Sequence, residues 1–255
     1  MNNLVDEKLL DRPIDAATVI LLRDHNDGLQ TLLLCRGNSR TVMNKAWVFP
    51  GGKIDAEDLR QTNNIQSVLA APATELLNEP GTSQSLAAAL FATACRETLE
   101  ETSVKLEPSQ LQTWSRWITP NEPSMMKKRF DARFFIAALP EGQTAVHDGD
   151  EATDSLWITA SEALQSYSEL KIALAPPQIM TLIALSKFTD VKQCLEHAAQ
   201  TASYCIEPQV IKTDSSRTLT YPGDPAHSDP VQHMPGPTRL VWQKDHFKPP
   251  AGFNL

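Results

Sequence analysis

Cysteine is scarce in this chain, and its spacing excludes a zinc-stabilised or disulfide-stabilised small domain. The 255 residues include 4 cysteines, Cys35, Cys95, Cys194 and Cys205. None of them forms a Cys-x-x-Cys pair, and their spacing resembles no zinc site. We therefore expect reduced thiols of the kind found in cytosolic proteins.

Long apolar runs and an excess of positive charge are also absent. No stretch reaches the roughly 18 apolar residues that cross a bilayer, and Met1–Pro13 lacks the basic and apolar regions of a signal peptide. Lys and Arg number 23 against 31 Asp and Glu, a net charge of −8. Because phosphate backbones attract basic residues, this balance argues against a nucleic-acid partner. We expect a cytoplasmic protein with neither membrane nor nucleic acid as partner.

The length allows one large domain, or one domain with an elaborated tail. The predicted strands are Ala16–Arg23, Thr31–Arg36, Trp47–Phe49, Trp114–Thr119, Arg133–Leu139, Ser155–Ile158, Gln209–Lys212 and Arg239–Gln243. The predicted helices run from Thr82 or Ser83 to Thr102, onwards from Ser161, from Pro176 to Phe188 and from Asp190 to Ala202. This irregular alternation favours an α/β fold with a mixed sheet and helices on both sides, rather than a doubly wound parallel sheet.

The strongest chemical signal is the segment Arg96-Glu97-Thr98-Leu99-Glu100-Glu101. Successive residues of a helix turn by about 100°, so Glu97, Glu100 and Glu101 share one face. Like charges four residues apart repel, and a divalent cation would remove that repulsion. Mg²⁺ prefers such oxygen ligands and completes its shell with water and phosphate. The alternative is a solvated acidic face in which Arg96 pairs with Glu100.

The first half of this helix carries apolar residues where its second half carries acids. Leu86 and Leu90 project on the same side as Glu97 and Glu101. Either the first turns of the helix are buried against the segment before it, or the helix bends. The sequence leaves both alternatives open.

The order of these motifs resembles the Nudix hydrolase signature. That signature, the Nudix box, consists of a glycine, five residues, Glu, seven residues and then Arg-Glu-U-x-Glu-Glu-x-Gly-U, where U is an aliphatic residue. The matching positions are Phe49-Pro50-Gly51-Gly52, Asp58, Arg96, Glu97, Glu100, Glu101 and Val104, with Asp55 between the first two. Thirty-seven residues separate Asp58 from Arg96 where the pattern has seven. Asp58 replaces Glu, Thr98 replaces an aliphatic residue and Ser103 replaces glycine.

An insert at that place is similar to one branch of the family, the peroxisomal-type coenzyme A diphosphatases and their bacterial relatives. Further segments resemble this branch: Trp117–Pro120, Arg129–Phe135, Leu174–Pro177, and Pro222–Pro225 with His227. A coenzyme A motif of another Nudix branch is met only in part. Leu33, Leu34, Arg36 and the Phe49–Gly52 run match it, and Thr41 and Ala46 do not.

The resemblance implies an α/β/α sandwich with a mixed sheet. The Nudix hydrolase domain is predicted to span 1–204, with an insert at about 59–81. Residues 205–255 are predicted to form a C-terminal extension packed on the same domain. A magnesium ion, with Mn²⁺ as the alternative, is then held by Glu97, Glu100 and Glu101. These three glutamates and Arg96 are the predicted catalytic residues.

The resemblance also assigns roles around that ion. The Gly51-Gly52 bend lets the backbone approach the metal and substrate closely. Asp58 is the carboxylate that Arg96 orients, and a box glutamate or the loop acid Glu151 is the general base. The candidate phosphate ligands are Arg36, Lys53, Lys127, Lys128 and Arg129. Asp131 and Arg133 alternate with Phe130 and Phe134 along one predicted strand, so a structural pairing of these two charges is also reasonable.

Three functions follow from these observations. The first is hydrolysis of coenzyme A or acyl-coenzyme A to 3′,5′-ADP and phosphopantetheine. The second is hydrolysis of another nucleoside diphosphate derivative, such as NADH or ADP-ribose. The third is a non-catalytic nucleotide sensor that keeps the fold. The oligomeric state, a homodimer included, stays open.

Overall fold

The computed structural model describes residues 12–37, 46–121, 128–212 and 217–253. The strands found there are β1 (Ile14–His25), β2 (Gly28–Arg36), β3 (Ala46–Val48), β4 (Gly51–Lys53), β5 (Gln112–Ile118), β6 (Phe130–Ala138), β7 (Ala152–Thr159), β8 (Ala173–Leu174), β9 (Tyr204–Ile206), β10 (Gln209–Lys212), β11 (Arg217–Thr220), β12 (Arg239–Gln243) and β13 (His246–Lys248). The α-helices are α1 (Ala56–Arg60), α2 (Thr62–Val68), α3 (Ala73–Leu77), α4 (Gln84–Thr102), α5 (Ala160–Ser168), α6 (Pro176–Leu185) and α7 (Val191–Gln200).

A large mixed sheet forms the centre of the protein, as predicted. Its strand order is β8-β3-β2-β1-β6-β5-β9, with β4 beside β1 and β7 beside β2. Strand β1 is parallel to β6 and antiparallel to β2 and β4. A second sheet, β10-β11-β12-β13, is antiparallel throughout. Among the described helices, none is long and apolar enough to pass through a lipid bilayer.

Two hydrophobic cores lie on opposite faces of the large sheet because side chains alternate along each strand. Along β1, Val19 and Leu21 enter the core shared with α4, whereas Ile20 and Leu22 enter the other core. The second core also includes residues from α5, α6, α7 and the C-terminal sheet. The result is the predicted sandwich of helices on both sides of a mixed sheet.

The predicted long helix is confirmed as α4. The hydroxyl of Ser83 caps its first turn by accepting a hydrogen bond from the Leu86 amide. Its early turns lie against the insert, since Leu90 shares a core with Ile65 and Leu77 of α2 and α3. Burial against the preceding segment therefore explains the leucines on the acidic side of the helix.

The C-terminal residues contribute to the second core. Strand β9 runs parallel to β5, and Tyr221 and Leu240 are buried with Trp117. The carboxylate of Asp224, which is fully buried, accepts two hydrogen bonds of 2.6 Å from Arg239. The division of the chain at 204/205 stays a prediction, and β9 lies across that boundary.

A cluster of charged side chains attaches the end of the insert to the sheet. Arg133 on β6 is 3% exposed and forms ion pairs with Asp15 at 2.5 Å, Glu79 at 2.9 Å and Asp131 at 3.3 Å. Arg116 on β5 pairs with Asp131 at 2.6 Å and with Glu79 at 3.1 Å. The predicted pairing of Asp131 with Arg133 is thus present. Glu79 is the carboxylate that the insert supplies to this cluster.

Replacing Glu79 with glutamine is expected to lower the free energy of unfolding by about 2–3 kcal/mol, because two largely buried arginines lose a charged partner. The measurement is urea-induced unfolding followed by circular dichroism. Glu75→Gln, at an exposed position of the same insert, is the matched control and should shift stability by less than about 0.5 kcal/mol. Equal unfolding midpoints for the two variants would contradict the buried role of Glu79.

Candidate active site

The Pro50-Gly51-Gly52 bend brings the backbone next to the acidic face of α4. Gly51 and Gly52 pair with Thr18 and Ala17 of β1, and the Val19 amide donates to the Pro50 carbonyl at 2.8 Å. The Gly51 amide donates to Glu101 Oε2 at 2.8 Å. The bend therefore connects strand β1 of the large sheet directly to Glu101, the last acid of the Arg96–Glu101 segment.

An added Cβ would meet different neighbours at the two glycines of the bend. A Cβ on Gly51 would overlap the backbone of β1 at Ala17 and Thr18. A Cβ on Gly52 would overlap the carboxylate of Glu97. The second contact shows that the Glu97 carboxylate lies against the glycine backbone, as the close approach in the sequence prediction requires.

Arg96 donates hydrogen bonds to three carboxylates of the site. Its Nε donates to Asp58 Oδ1 at 3.0 Å and its Nη2 donates to Asp58 Oδ2 at 2.8 Å. Its Nη1 donates to Glu97 Oε1 and to Glu100 Oε2, both at 2.9 Å. These bonds raise the pKa of Arg96 further above its ordinary value, with the Asp58 hydrogen bond as the largest cause. The pairing of Arg96 with Glu100 was expected for a solvated surface helix, but here it belongs to a partly buried cluster.

Asp58 reaches this cluster although the insert separates it from Arg96 in the sequence. It lies in the first turn of α1, which is capped by Asp55. Burial acts to raise the pKa of Asp58, but hydrogen bonds from Arg96, the Asp55 amide and Thr93 outweigh it and lower that pKa. The Asp58 carboxylate therefore lies within hydrogen-bond distance of Arg96, the residue that the resemblance implies should orient it, and that role stays a prediction.

The ionised forms of two glutamates of the site, Glu97 and Glu101, are disfavoured by their surroundings. Burial raises the pKa of Glu101 to about 7; the Gly51 amide opposes the rise, and the charges of Glu97 and Glu151 add to it. Burial also raises the pKa of Glu97, against the opposing effect of Arg96. A cation placed among these carboxylates would relieve both effects.

The donor atoms suit a hard divalent cation, although no preformed site is present. Among the described residues, no three His, Cys, Asp or Glu side chains are already arranged to hold a metal ion. One oxygen of Glu97 and one of Glu100 accept hydrogen bonds from Arg96, and one oxygen of Glu101 accepts from the Gly51 amide. The second oxygen of each carboxylate is left outside these bonds, and oxygen is the ligand that Mg²⁺ prefers. Binding would require these side chains to turn toward a common point.

The other predicted site residues fall into two groups. Arg36 and Glu151 lie near the glutamates, since the charge of Arg36 lowers the pKa of Glu101 and that of Glu151 raises it. The exposed Lys53 follows Gly52 directly, and its carbonyl accepts from Arg96 at 3.1 Å. Arg129 instead donates to the Thr119 carbonyl and to Glu207, both at 2.9 Å. Lys128 is exposed, and Lys127 and Thr41 lie outside the described residues.

Two residues contribute to the site although no role there was predicted for them. Asp55 caps α1, and its spacing to Asp58 is that of a capping box, so this signal was present in the sequence. Thr93 donates to Asp58 Oδ2 at 2.8 Å across 35 residues of chain. No local pattern indicates that contact, because the two residues meet only through the packing of α1 on α4.

Comparison with known proteins supports a relation to one family. A family model described as the NUDT19 Nudix domain matches residues 88–185. The acyl-coenzyme A diphosphatase NUDT19 of Xenopus laevis is 31% identical over 118 residues, which are 45% of this chain and 31% of that protein. The putative nudix hydrolase 7 of Caenorhabditis elegans is 27% identical over 216 residues, which are 78% of this chain and 70% of that protein. The match therefore spans less than a third of the Xenopus protein.

A solved structure supports the fold. The NUDIX hydrolase from Alicyclobacillus acidocaldarius superposes with a TM-score of 0.58 at 19% identity, over 73% of this chain and 97% of that one. The box glycines, Arg96 and the three glutamates lie together on that fold although an insert interrupts their sequence pattern. The chain therefore has the fold of that NUDIX hydrolase, and its residues 88–185 resemble the NUDT19 Nudix domain.

Proposed function

We propose that this protein hydrolyses the diphosphate linkage of a nucleoside diphosphate derivative with Mg²⁺ as cofactor. One observation carries the proposal: Glu97 and Glu101 are partly buried against the glycine bend, and burial together with like charge raises the pKa of both. Burying several ionised carboxylates together costs folding free energy unless a cation lies among them. Divalent cations such as Mg²⁺ also serve phosphoryl transfer. Mn²⁺ is the alternative ion.

The residues of the chain divide the chemistry among them. Glu97, Glu100 and Glu101 would hold the ion, which when bound polarises a phosphoryl oxygen and lowers the pKa of water. Arg96, fixed by Asp58, sets the orientation of Glu97 and Glu100. Gly52 has no Cβ, which lets the Glu97 carboxylate lie directly against the backbone of the bend.

Substrate binding and proton transfer would fall to the residues around the three glutamates. Arg36 and Lys53 are exposed cations beside the acidic cluster and are the proposed phosphate ligands. Glu151 or a box glutamate would accept the proton of the attacking water. Arg129 is a further proposed phosphate ligand, and its side chain also bonds to the Thr119 carbonyl and to Glu207.

Coenzyme A or acyl-coenzyme A is the substrate class that the comparisons favour. The Xenopus relative is named as an acyl-coenzyme A diphosphatase, and the matching family model carries the same NUDT19 name. Cleavage would give 3′,5′-ADP and phosphopantetheine or its acyl form. NADH and ADP-ribose are the rival substrates. A cytoplasmic location, the absence of nucleic-acid and membrane partners, and the choice between monomer and homodimer stay predictions.

Product analysis separates these substrates and tests the need for metal. The protein is incubated with coenzyme A, NADH or ADP-ribose in Mg²⁺, and the products are identified by mass spectrometry. We expect 3′,5′-ADP from coenzyme A and its loss when EDTA removes the metal. AMP from NADH or ADP-ribose alone would replace the substrate assignment. No product from any of the three, with nucleotide still bound, would instead support the non-catalytic sensor.

A further inference from the structure

The carboxylate of Asp58 is bound by more donors than a simple pair with Arg96 would need. Besides the two Arg96 bonds, it accepts from the Thr93 hydroxyl at 2.8 Å and from the Asp55 amide at 3.0 Å. Both of these extra bonds end on Oδ2. Asp58 is only 2% exposed, so water cannot replace a donor that is lost.

Thr93 lies on α4 one turn before Arg96, so their side chains project on the same side of the helix. Its hydroxyl is fully buried, 2.8 Å from Asp58 Oδ2 and also 2.8 Å from the Ala89 carbonyl. A hydroxyl has a single proton, and an ionised carboxylate is the stronger acceptor. The Asp58 bond is therefore the dominant one.

This contact compensates for the way in which the insert interrupts the box. Asp58 enters the site from α1, a helix of only 5 residues, and not from the chain immediately before Arg96. An aspartate is also shorter by one methylene than the glutamate of the family pattern, so its carboxylate has less reach. The Thr93 hydroxyl, which lies on α4 like Arg96, holds the Asp58 carboxylate within reach of the Arg96 guanidinium.

We propose that Thr93 is a positioning residue that holds Asp58 against Arg96, and through Arg96 keeps Glu97 and Glu100 in place. The kinetic consequence rests on the proposed hydrolytic function. The geometric consequence does not, because it concerns only the pairing of Asp58 with Arg96.

The kinetic test uses Thr93→Val, which keeps the shape of the side chain and removes the hydroxyl. We expect kcat for diphosphate hydrolysis to fall about tenfold while KM stays within about twofold, because the variant disturbs charge placement at the reacting centre and leaves the proposed phosphate ligands intact. Thr93→Ser keeps the hydroxyl and should restore kcat. Thr98→Val is the matched control, since Thr98 is equally buried on α4 but donates to the Ala94 carbonyl at 2.7 Å.

A double-mutant cycle separates positioning from general support of the helix. Asp58→Asn should lower kcat by itself, and adding Thr93→Val should then cause little further loss, because the hydroxyl acts through that carboxylate. Additive losses, or equal losses for Thr93→Val and Thr98→Val, would overturn the proposal.

A readout that needs no activity completes the test. The Nε proton of Arg96, bonded to Asp58 in the wild type, should exchange slowly with solvent by NMR. Its exchange should accelerate in Thr93→Val and stay slow in Thr93→Ser and Thr98→Val. Thr93→Ala serves in the same measurement if the valine variant does not fold. Unchanged exchange on loss of the hydroxyl rejects the positioning role, whereas a wild-type protein that cleaves no diphosphate rejects only the proposed function.

Discussion

Replacing Glu97 with glutamine is expected to lower kcat for diphosphate hydrolysis by on the order of a thousandfold while the protein stays folded. Glu97 is the carboxylate that lies against Gly52, and burial already raises its pKa. Glutamine keeps the size of the side chain but cannot supply a negative charge to a cation. The substitution also removes one charged partner of Arg96, which retains Asp58 and Glu100.

The measurement pairs turnover with metal binding. We expect Mn²⁺ affinity, measured by isothermal titration calorimetry, to fall together with kcat. Thermal unfolding should change little, because removal of a charge from a partly buried acidic cluster relieves repulsion. Glu141→Gln, at an exposed position outside the site, is the control and should behave as the wild type. Near wild-type turnover in Glu97→Gln would place the chemistry on other residues.

The two glycines of the bend are expected to respond to alanine in opposite ways. At Gly52 the added methyl group meets the end of a flexible side chain, so the Glu97 carboxylate must move while the fold is kept. Because small displacements of a reacting group are costly, we expect kcat to fall about a hundredfold with little change in stability. At Gly51, where φ is 154°, the methyl group meets the backbone of β1. There we expect destabilisation of about 3 kcal/mol or more.

The comparison of these variants needs both an unfolding curve and an activity assay for each protein. Gly142→Ala controls for the change from glycine, since its positive φ adds strain but its surroundings are open. It should lose about 1 kcal/mol of stability and no specific activity in the folded fraction. If Gly52→Ala were unstable and active, or Gly51→Ala stable and inactive, the roles assigned to the two positions would be wrong.

Several elements followed from local sequence signals alone. The helix after Ser83 begins with a capping hydroxyl, and α6 begins with the Pro176-Pro177 pair that suits a first turn. Strands β10 and β12 have the predicted bounds, Gln209–Lys212 and Arg239–Gln243. These predictions succeeded because the signals lie within the elements themselves.

The predictions were weaker where partners are distant in sequence. No helix or strand was predicted for the insert at about 59–81, yet it contains the short helices α2 and α3, whose apolar side chains share a core with α4. Strands β11 and β13 were not predicted; β11 is only 4 residues long and β13 only 3. Short elements of this kind depend on neighbouring strands and carry little periodicity of their own. The contact of Arg129 with Glu207, 78 residues away, is likewise one that no local pattern indicates.

By itself the sequence determined the chemical character of the site: an acidic helix face, an arginine beside it, and a glycine bend without side chains in the way. Helical periodicity and glycine stereochemistry are local properties, so these features needed no knowledge of the rest of the chain. Only the tertiary structure decided that Asp58 returns to Arg96 across the insert, that Thr93 joins them, and that burial rather than charge alone raises the pKa of Glu101. Those outcomes depend on which surfaces pack together and exclude water, and packing between distant segments leaves no pattern in a single sequence.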